Sequence, residues 1–280
     1  MEIIHLNNKQ PDPCSTETKP SVFTAGFFDG MHVGHQKVIN EAKKMADKKG
    51  LPLACITFFP HPKEILKNSN EQFQYINPIA EKQIALEKLG VDKLYIVEFN
   101  YEFASLTPKQ FVQDYLLVLG AEYVVAGFDF TYGRRGQGNM ERMREDADQK
   151  LEAIKVERVE RNGEKVSSTL LREMICSGNI EKVHDYLDQH YEVEGEILFD
   201  HFDTVVDVKD HYLIPCSGLY DVSVSTGREE WQQRVIVDQE RMKIILSRDS
   251  PRSIKHSTKI SIKWLKQVST EFVLELAQSV

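Results

Sequence analysis

Two histidines three residues apart, His32 and His35, end the stretch Val22-Phe-Thr-Ala-Gly-Phe-Phe-Asp-Gly-Met-His-Val-Gly-His35. The stretch starts as an apolar run suited to a buried parallel strand and breaks at Gly26-Phe27-Phe28. It then turns through Asp29, Gly30 and Gly34 into an amphipathic segment. A strand, a tight turn and a helix start make an anion site. The first helical N–H groups have no partner inside the helix, and the helix dipole adds to their positive end. Two imidazoles at this spacing can reach one anion. Glycine at 30 and 34 is expected to let the backbone approach a ligand and adopt positive φ. The chemistry predicted is phosphate binding, with histidine as the side-chain donor.

Two further stretches point the same way. The strand Tyr123-Val-Val-Ala126 runs into Gly127-Phe-Asp129-Phe-Thr-Tyr-Gly133 and then Arg134-Arg135-Gly136-Gln-Gly138. Glycine there lets backbone approach a ligand, and arginine grips phosphate oxygens through a fork of donors. In Lys165-Val-Ser-Ser-Thr-Leu-Leu-Arg172, Ser168 is the expected N-cap of a second helix start. That start carries Thr169 and, one turn in, Arg172. A fourth stretch, Pro60-His61-Pro62, is a rigid turn at the carboxyl end of an apolar run from Leu51 through Phe58 to Phe59. Ligands of open α/β sheets gather at such ends. No Ser-His-Asp, Cys-His or zinc spacing competes, and the H-x-x-H of His32 and His35 is short of the ligands a metal site needs.

The elements that must hold these groups alternate. After the first turn, Val38, Ile39, Ala42, Met45 and Ala46 share one helical face, and Gly50 suits the C′ position. The run 51–59 completes a β-α-β unit, whose crossover is right-handed. A helix over 78–90, with Ile79, Ile84, Leu86 and Leu89 as its apolar residues and Gly90 closing it, leads to a strand over 91–99. Thr107-Pro108 opens another helix, burying Val112, Tyr115, Leu116 and Leu119. Residues 142–150 read as a charged surface helix and 151–159 as the last strand; residues 1–20 read as an extended polar lead-in. This alternation predicts a doubly wound parallel sheet. A helix with Ile180, Val183, Tyr186 and Leu187 inward follows, and 189–194 reads as a junction. Beyond it, short alternating runs at 220–224, 234–237, 243–246 and 259–264 predict a small antiparallel β-barrel, with a final helix at 271–278. The expected domains are therefore 1–188 and 189–280.

At 280 residues, 41% hydrophobic and 28% charged, the chain is long enough for two domains. A net charge of −8 argues against nucleic acid held on a broad basic face. Cys14, Cys55, Cys176 and Cys216 are scattered without C-x-x-C and read as free thiols of a reducing compartment. No apolar leader or run of membrane-span length is present, so a cytoplasmic chain with no membrane partner is expected.

The ten-residue pattern G-x-F-D-G-x-H-x-G-H over Gly26–His35 resembles the HxGH signature of nucleotidylyltransferases. In its long form it resembles the prokaryotic FAD synthetases, the bifunctional riboflavin kinase/FMN adenylyltransferase type. Thr57-Phe-Phe-Pro-His-Pro62, Gly127-Phe-Asp-Phe and Ser167-Ser-Thr-Leu-Leu-Arg172 resemble that family's other blocks in order and spacing. The resemblance implies a Rossmann-like sheet followed by the barrel, and transfer of the adenylyl group of ATP to FMN with release of pyrophosphate. It implies ATP contacts from Gly26, Phe27, Phe28, Asp29, His32, His35, Gly127, Asp129, Ser168, Thr169 and Arg172, with His32, His35 and Arg172 catalytic. The segment at Ser168 would be a second phosphate clamp. The flavin would lie towards Phe58, Pro60, His61, Pro62, Arg134 and Arg135. Mg²⁺ would accompany ATP, with Asp29 either an indirect ligand or a turn-stabilising acid.

Phe59 stands where the family carries an acid. Residues 195–214 contain neither the G-R nor the P-T-A-N of the family's kinase barrel, although Pro215-Cys-Ser-Gly-Leu-Tyr220 keeps its P-x-x-G-x-Y. A monofunctional FMN adenylyltransferase with a degenerate kinase domain is expected. Two alternatives stand beside it: an HxGH adenylyltransferase with another acceptor, and a flavin-binding regulator with reduced catalysis.

Overall fold

The computed structural model describes residues 1–7, 19–66, 73–199, 204–208, 211–239, 241–246 and 255–268. The chain divides into two compact units, Met1–Phe73 with Ile79–Glu160 and Gln74–Pro78 with Arg161–Val280.

The first unit runs β1 (Glu2–Leu6), β2 (Ser21–Ala25), α1 (Val33–Lys49), β3 (Leu53–Phe59), α2 (Pro62–Leu66), α3 (Ile79–Lys88), β4 (Lys93–Glu98) and α4 (Tyr101–Ser105). It continues with α5 (Pro108–Phe111), β5 (Ala121–Gly127), β6 (Thr131–Tyr132), β7 (Gly138–Asn139), α6 (Met143–Asp146) and β8 (Glu152–Val156). Six of the strands form one sheet in the order β1-β4-β3-β2-β5-β8, and every pairing in it is parallel. All of β2 and all of β3 but Phe59 are buried, as strands covered on both faces must be.

α1 buries Val38, Ile39, Ala42 and Ala46 and ends at Gly50 in the left-handed conformation (φ 66°). α5 starts with a full capping box of Thr107 and Gln110 and Pro108 in its first turn, then continues as a π-helix over Val112–Leu117.

Two expectations need correction. Glu2–Leu6 is a strand paired with β4 from Glu2↔Lys93 to Leu6↔Val97, not lead-in. An edge strand needs only one partner, and Ile4 and Leu6 suffice to pack it on the core. Residues 142–150 hold only one helical turn, and Met143 and Asp146 are buried, not on the surface. In α3, Ile84 is exposed while Lys82 is buried between Ile79 and Leu86 on the inner face.

After a small hairpin, β9 (Glu160–Arg161) and β10 (Glu164–Lys165), the second unit holds α7 (Ser168–Cys176) and α8 (Ile180–Leu187). It then forms a closed six-stranded barrel. Its strands are β11 (Glu192–Phe199), β12 (Thr204–Val208), β13 (Gly218–Ser225), β14 (Glu230–Asp238), β15 (Lys243–Leu246) and β16 (Lys259–Val268). Every ladder is antiparallel, and β16 returns to pair with β11. The alternating inward residues Val193 and Ile197, Tyr220 and Val222, and Ile262 and Trp264 are fully buried or nearly so. β11 begins within the stretch 189–194 read from sequence as a junction, and β12 lies outside the four alternating runs expected. The helix expected at 271–278 lies outside the described residues. Among those described, no helix is long and apolar enough to cross a membrane.

Candidate active site

Between β2 and α1 the backbone is tightly wound. Phe28 (φ 51°), Gly30 (φ 91°) and Met31 (φ 39°) all adopt left-handed conformations. Only the glycine does so freely. Each non-glycine costs about 1–3 kcal/mol and persists only where its surroundings dictate it. Here they do, because Phe28 and Met31 are buried in one core cluster with Cys55, Val38 and Leu86. Gly26 is required by proximity, since a Cβ there would lie 2.9 Å from the Phe28 ring.

His32 is the N-cap of α1, and its Nδ1 accepts the His35 backbone N–H at 3.1 Å. That bond settles the tautomer. With Nδ1 an acceptor, the neutral ring carries its proton on Nε2. The His32 and His35 rings stack with centroids 3.6 Å apart and planes 17° apart, and Phe28 meets His35 edge-on at 5.3 Å. Gly34 lies inside α1 with ordinary helical φ, contrary to the sequence expectation. It is needed because a Cβ would sit 3.0 Å from His32 Nδ1. Burial, then the neighbouring His32, then Lys82, hold the His35 pKa well below the usual 6.5, so His35 is neutral at pH 7. Its Nδ1 is buried with no hydrogen-bond partner among the described residues. Asp29 is buried in the same turn. No group of three or more His, Cys, Asp or Glu among the described residues could hold a metal ion.

At the end of β3, the Thr57 hydroxyl donates to the Phe27 carbonyl at 3.3 Å. The Phe27 ring packs on Phe58 (5.5 Å) and His61 (4.6 Å), and His61 stacks on Phe73 at 3.9 Å and 8°. Phe58 is a core residue against Phe103 and Phe111, whereas Phe59 is 40% exposed. Pro60, His61 and Pro62 are half-buried. The aromatic surface at this strand end is thus formed by Phe27, His61 and Phe73, with Phe58 behind it.

At the end of β5, Phe130 N–H donates to the Gly127 carbonyl, closing a turn that leaves Asp129 exposed. The loop after it is braced at two points. Tyr132 donates to the buried Asp146 carboxylate at 2.8 Å, and Arg142 binds both oxygens of that carboxylate, at 2.9 and 2.8 Å. Arg134 N–H donates to the Leu106 carbonyl at 2.6 Å, and Gly133 (φ 70°) lies so close to Pro108 that a Cβ would clash. Arg134 and Arg135 stand exposed at the tip.

Because the strands are parallel, the turns after β2, β3 and β5 lie at one end of the sheet. The chain leaves β2 on one side toward β3 and resumes on the other at β5. That reversal is the switch point at which such sheets bind ligands. Gly26, Phe27, Phe28, Asp29, His32, His35, Gly127, Asp129, Arg134, Arg135 and the 58–62 turn are brought to this end.

In the second unit, the N-cap of α7 is Ser167 rather than Ser168. Its backbone is extended (φ −155°, ψ 156°), and its hydroxyl accepts the Leu170 N–H. Ser168 is the first helical residue, half-buried, and Thr169 is exposed. Arg172 Nη1 donates to the Gln74 carbonyl at 2.6 Å. Sequence reasoning missed Thr57, Ser167 and Lys82. The helical spacing of Ile79, Lys82 and Leu86 was the signal for the last.

The family model for FAD synthetase matches residues 14–170, more than half of the chain. The chain is 38% identical over 237 residues to a bifunctional riboflavin kinase/FMN adenylyltransferase of Bacillus subtilis (strain 168), covering 82% of this chain and 75% of that one. It is 29% identical over 223 residues to an FAD synthetase of Listeria monocytogenes, covering 79% and 86%. A crystal structure described as a macrolide-efflux protein from Streptococcus pneumoniae superposes with a TM-score of 0.83 at 29% identity, covering 95% of this chain and all of that one. With the strand-to-helix histidine turn at a parallel-sheet switch point, these similarities establish that the chain belongs to the FAD synthetase family.

Proposed function

We propose that the turn joining β2 to α1 holds the phosphates of ATP while the FMN phosphate attacks the α-phosphorus. The family's reaction is adenylyl transfer: an FMN phosphate oxygen bonds to Pα, the Pα–O bond to the β-phosphate breaks, and pyrophosphate leaves with that electron pair. Two anions must be aligned against their repulsion, and charge growing on the leaving group must be met by preorganised donors. The stacked pair His32 and His35 at a helix start carries this reading. Backbone N–H groups of α1 supply further donors, and Gly127 and Asp129 adjoin the nucleotide.

The flavin ring is assigned to the aromatic surface of Phe27, His61 and Phe73 with Pro60 and Pro62, because a planar ring stacks on such surfaces. Arg134 and Arg135 offer fork donors to the FMN phosphate. Ser168, Thr169 and Arg172 form a separate anion-binding helix start. Mg²⁺ would arrive with ATP, whose triphosphate oxygens are the hard ligands that ion prefers. We assign Asp29 to stabilising the turn, a role that a buried carboxylate there can fill without the ion. The transport activity in the description of the pneumococcal structure has no counterpart in this phosphate-directed chemistry.

We further propose that riboflavin kinase activity is lost, because residues 195–214 lack the G-R and P-T-A-N of the kinase barrel. The test is chromatography of products from the full chain with Mg²⁺ and ATP, given FMN or riboflavin in parallel. FAD from FMN with no product from riboflavin is expected. FMN formed from riboflavin overturns the kinase reading. Undiminished FAD synthesis by His32→Ala, in folded protein, overturns the assignment of the site.

A further inference from the structure

α3 carries a lysine where its helical period calls for an apolar residue. Lys82 is 1% exposed, three residues after Ile79 and four before Leu86. Those two residues pack in the core cluster that holds Phe28, Met31 and Cys55, the floor of the histidine turn. A lysine is almost never buried this far unless it is paired, because removing its charge from water is costly. The turn above it contains a buried carboxylate, Asp29, and a buried imidazole, His35, whose Nδ1 has no partner among the described residues.

We propose that Lys82 is a positioning residue of the adenylyl-transfer site: its buried side chain supports the turn that carries Asp29 and keeps His35 in place beside His32. The inference rests on reading that turn as the ATP-phosphate site.

The electrostatics agree in direction. Burial pulls the Lys82 pKa down, and Asp29 and then Cys55 oppose that pull. The groups that act on His35 are His32 from its own turn and Lys82 from α3, and both repel an added proton. A second proton on the His32–His35 stack would draw the pair apart, since like charges at this spacing repel strongly in a site of low dielectric. A neutral His35 can remain stacked and hydrogen-bond a phosphate oxygen. Lys82 does this at a distance, from beneath the turn, without being required to touch substrate.

The test is Lys82→Met in the full chain, with two readouts. Histidine resonances followed by NMR against pH give the His35 titration without any substrate. Steady-state kinetics with MgATP and FMN give kcat and KM. The expected result is a His35 titration moved to higher pH and a kcat lower by about tenfold to a hundredfold, the scale of a misplaced reacting group, with KM for FMN unchanged. An unmoved His35 titration, or an unchanged kcat, overturns the proposal. Should Lys82→Met fail to fold, the double variant Asp29→Asn/Lys82→Met removes both buried charges, and the same upward His35 shift is required of it. His35→Ala separates the two readings. If it keeps full activity, the ATP site has been misassigned. If it loses activity while Lys82→Met does not, only the role of Lys82 fails.

Discussion

The Nδ1 atom of His32 accepts the backbone N–H of His35, so the residue that caps α1 also stacks on its neighbour's ring. One side chain therefore serves the fold and the chemistry, and substitution can separate the two. Asparagine caps helices as well as any residue but cannot stack or donate as an imidazole does. His32→Asn is expected to keep its melting temperature and lose roughly 10²–10³ in kcat, the scale of removing one preorganised donor. His32→Ala should lose the same activity and about 1 kcal/mol of stability as well. Thermal melts and FAD synthesis rates on both variants check this.

His35 gives the protein a pH signature. Its folded pKa lies below the unfolded value of 6.5. Between the two values the unfolded chain holds a proton that the folded chain refuses. The stabilisation is therefore complete above pH 6.5 and is lost as pH falls toward the folded pKa. Urea midpoints measured from about pH 7.5 down to about 5 should fall for the wild type. His35→Gln should show a flatter profile over the same range.

Gly34 offers the reverse separation. Alanine is favoured over glycine inside a helix by about 1 kcal/mol, and Gly34 has helical φ. Its Cβ, however, would press on His32 Nδ1 at 3.0 Å. Gly34→Ala should melt no lower than wild type while kcat drops about tenfold or more. Equal activity would show that the imidazole stack tolerates displacement.

The buried carboxylate of Asp146 ties Tyr132 to Arg142 beneath the loop that carries Arg134 and Arg135. Asp146→Ala leaves the Tyr132 hydroxyl without this acceptor and should cost about 1–3 kcal/mol. Its activity signature should be a raised KM for FMN more than a lowered kcat, because the arginine tip is loosened while the histidine turn is untouched. Steady-state kinetics with FMN varied would show it.

Much of this site is legible in sequence because its parts are local. A cap, a glycine and a ring three residues on lie within one turn, so the anion site of Gly26–His35 is legible, although Phe28 and Met31 join Gly30 in the left-handed region where Gly34 was expected. What escaped depends on partners distant in the chain. Lys82 reads as a surface residue until Phe28, Met31 and Cys55 are seen across from it. Asp146 reads as part of a charged surface helix until Tyr132 reaches it. Glu2–Leu6 is short and half polar, and only its pairing with β4 makes it a strand. Ser167 and Ser168 are chemically alike, and the choice of cap between them is made by backbone angles. In the barrel, β11 begins with Glu192-Val-Glu, polar enough to pass for a linker until its alternate residues turn inward.

The ladder of the barrel closes through β11 and β16, which leaves none of its strands with an open edge. Its wall is therefore complete without help from the connections at its rims. Such a cylinder is a chassis for protein engineering. Phosphate-gripping loops could be transplanted onto its rims, or existing ones exchanged, with fold and new chemistry assayed as independent variables.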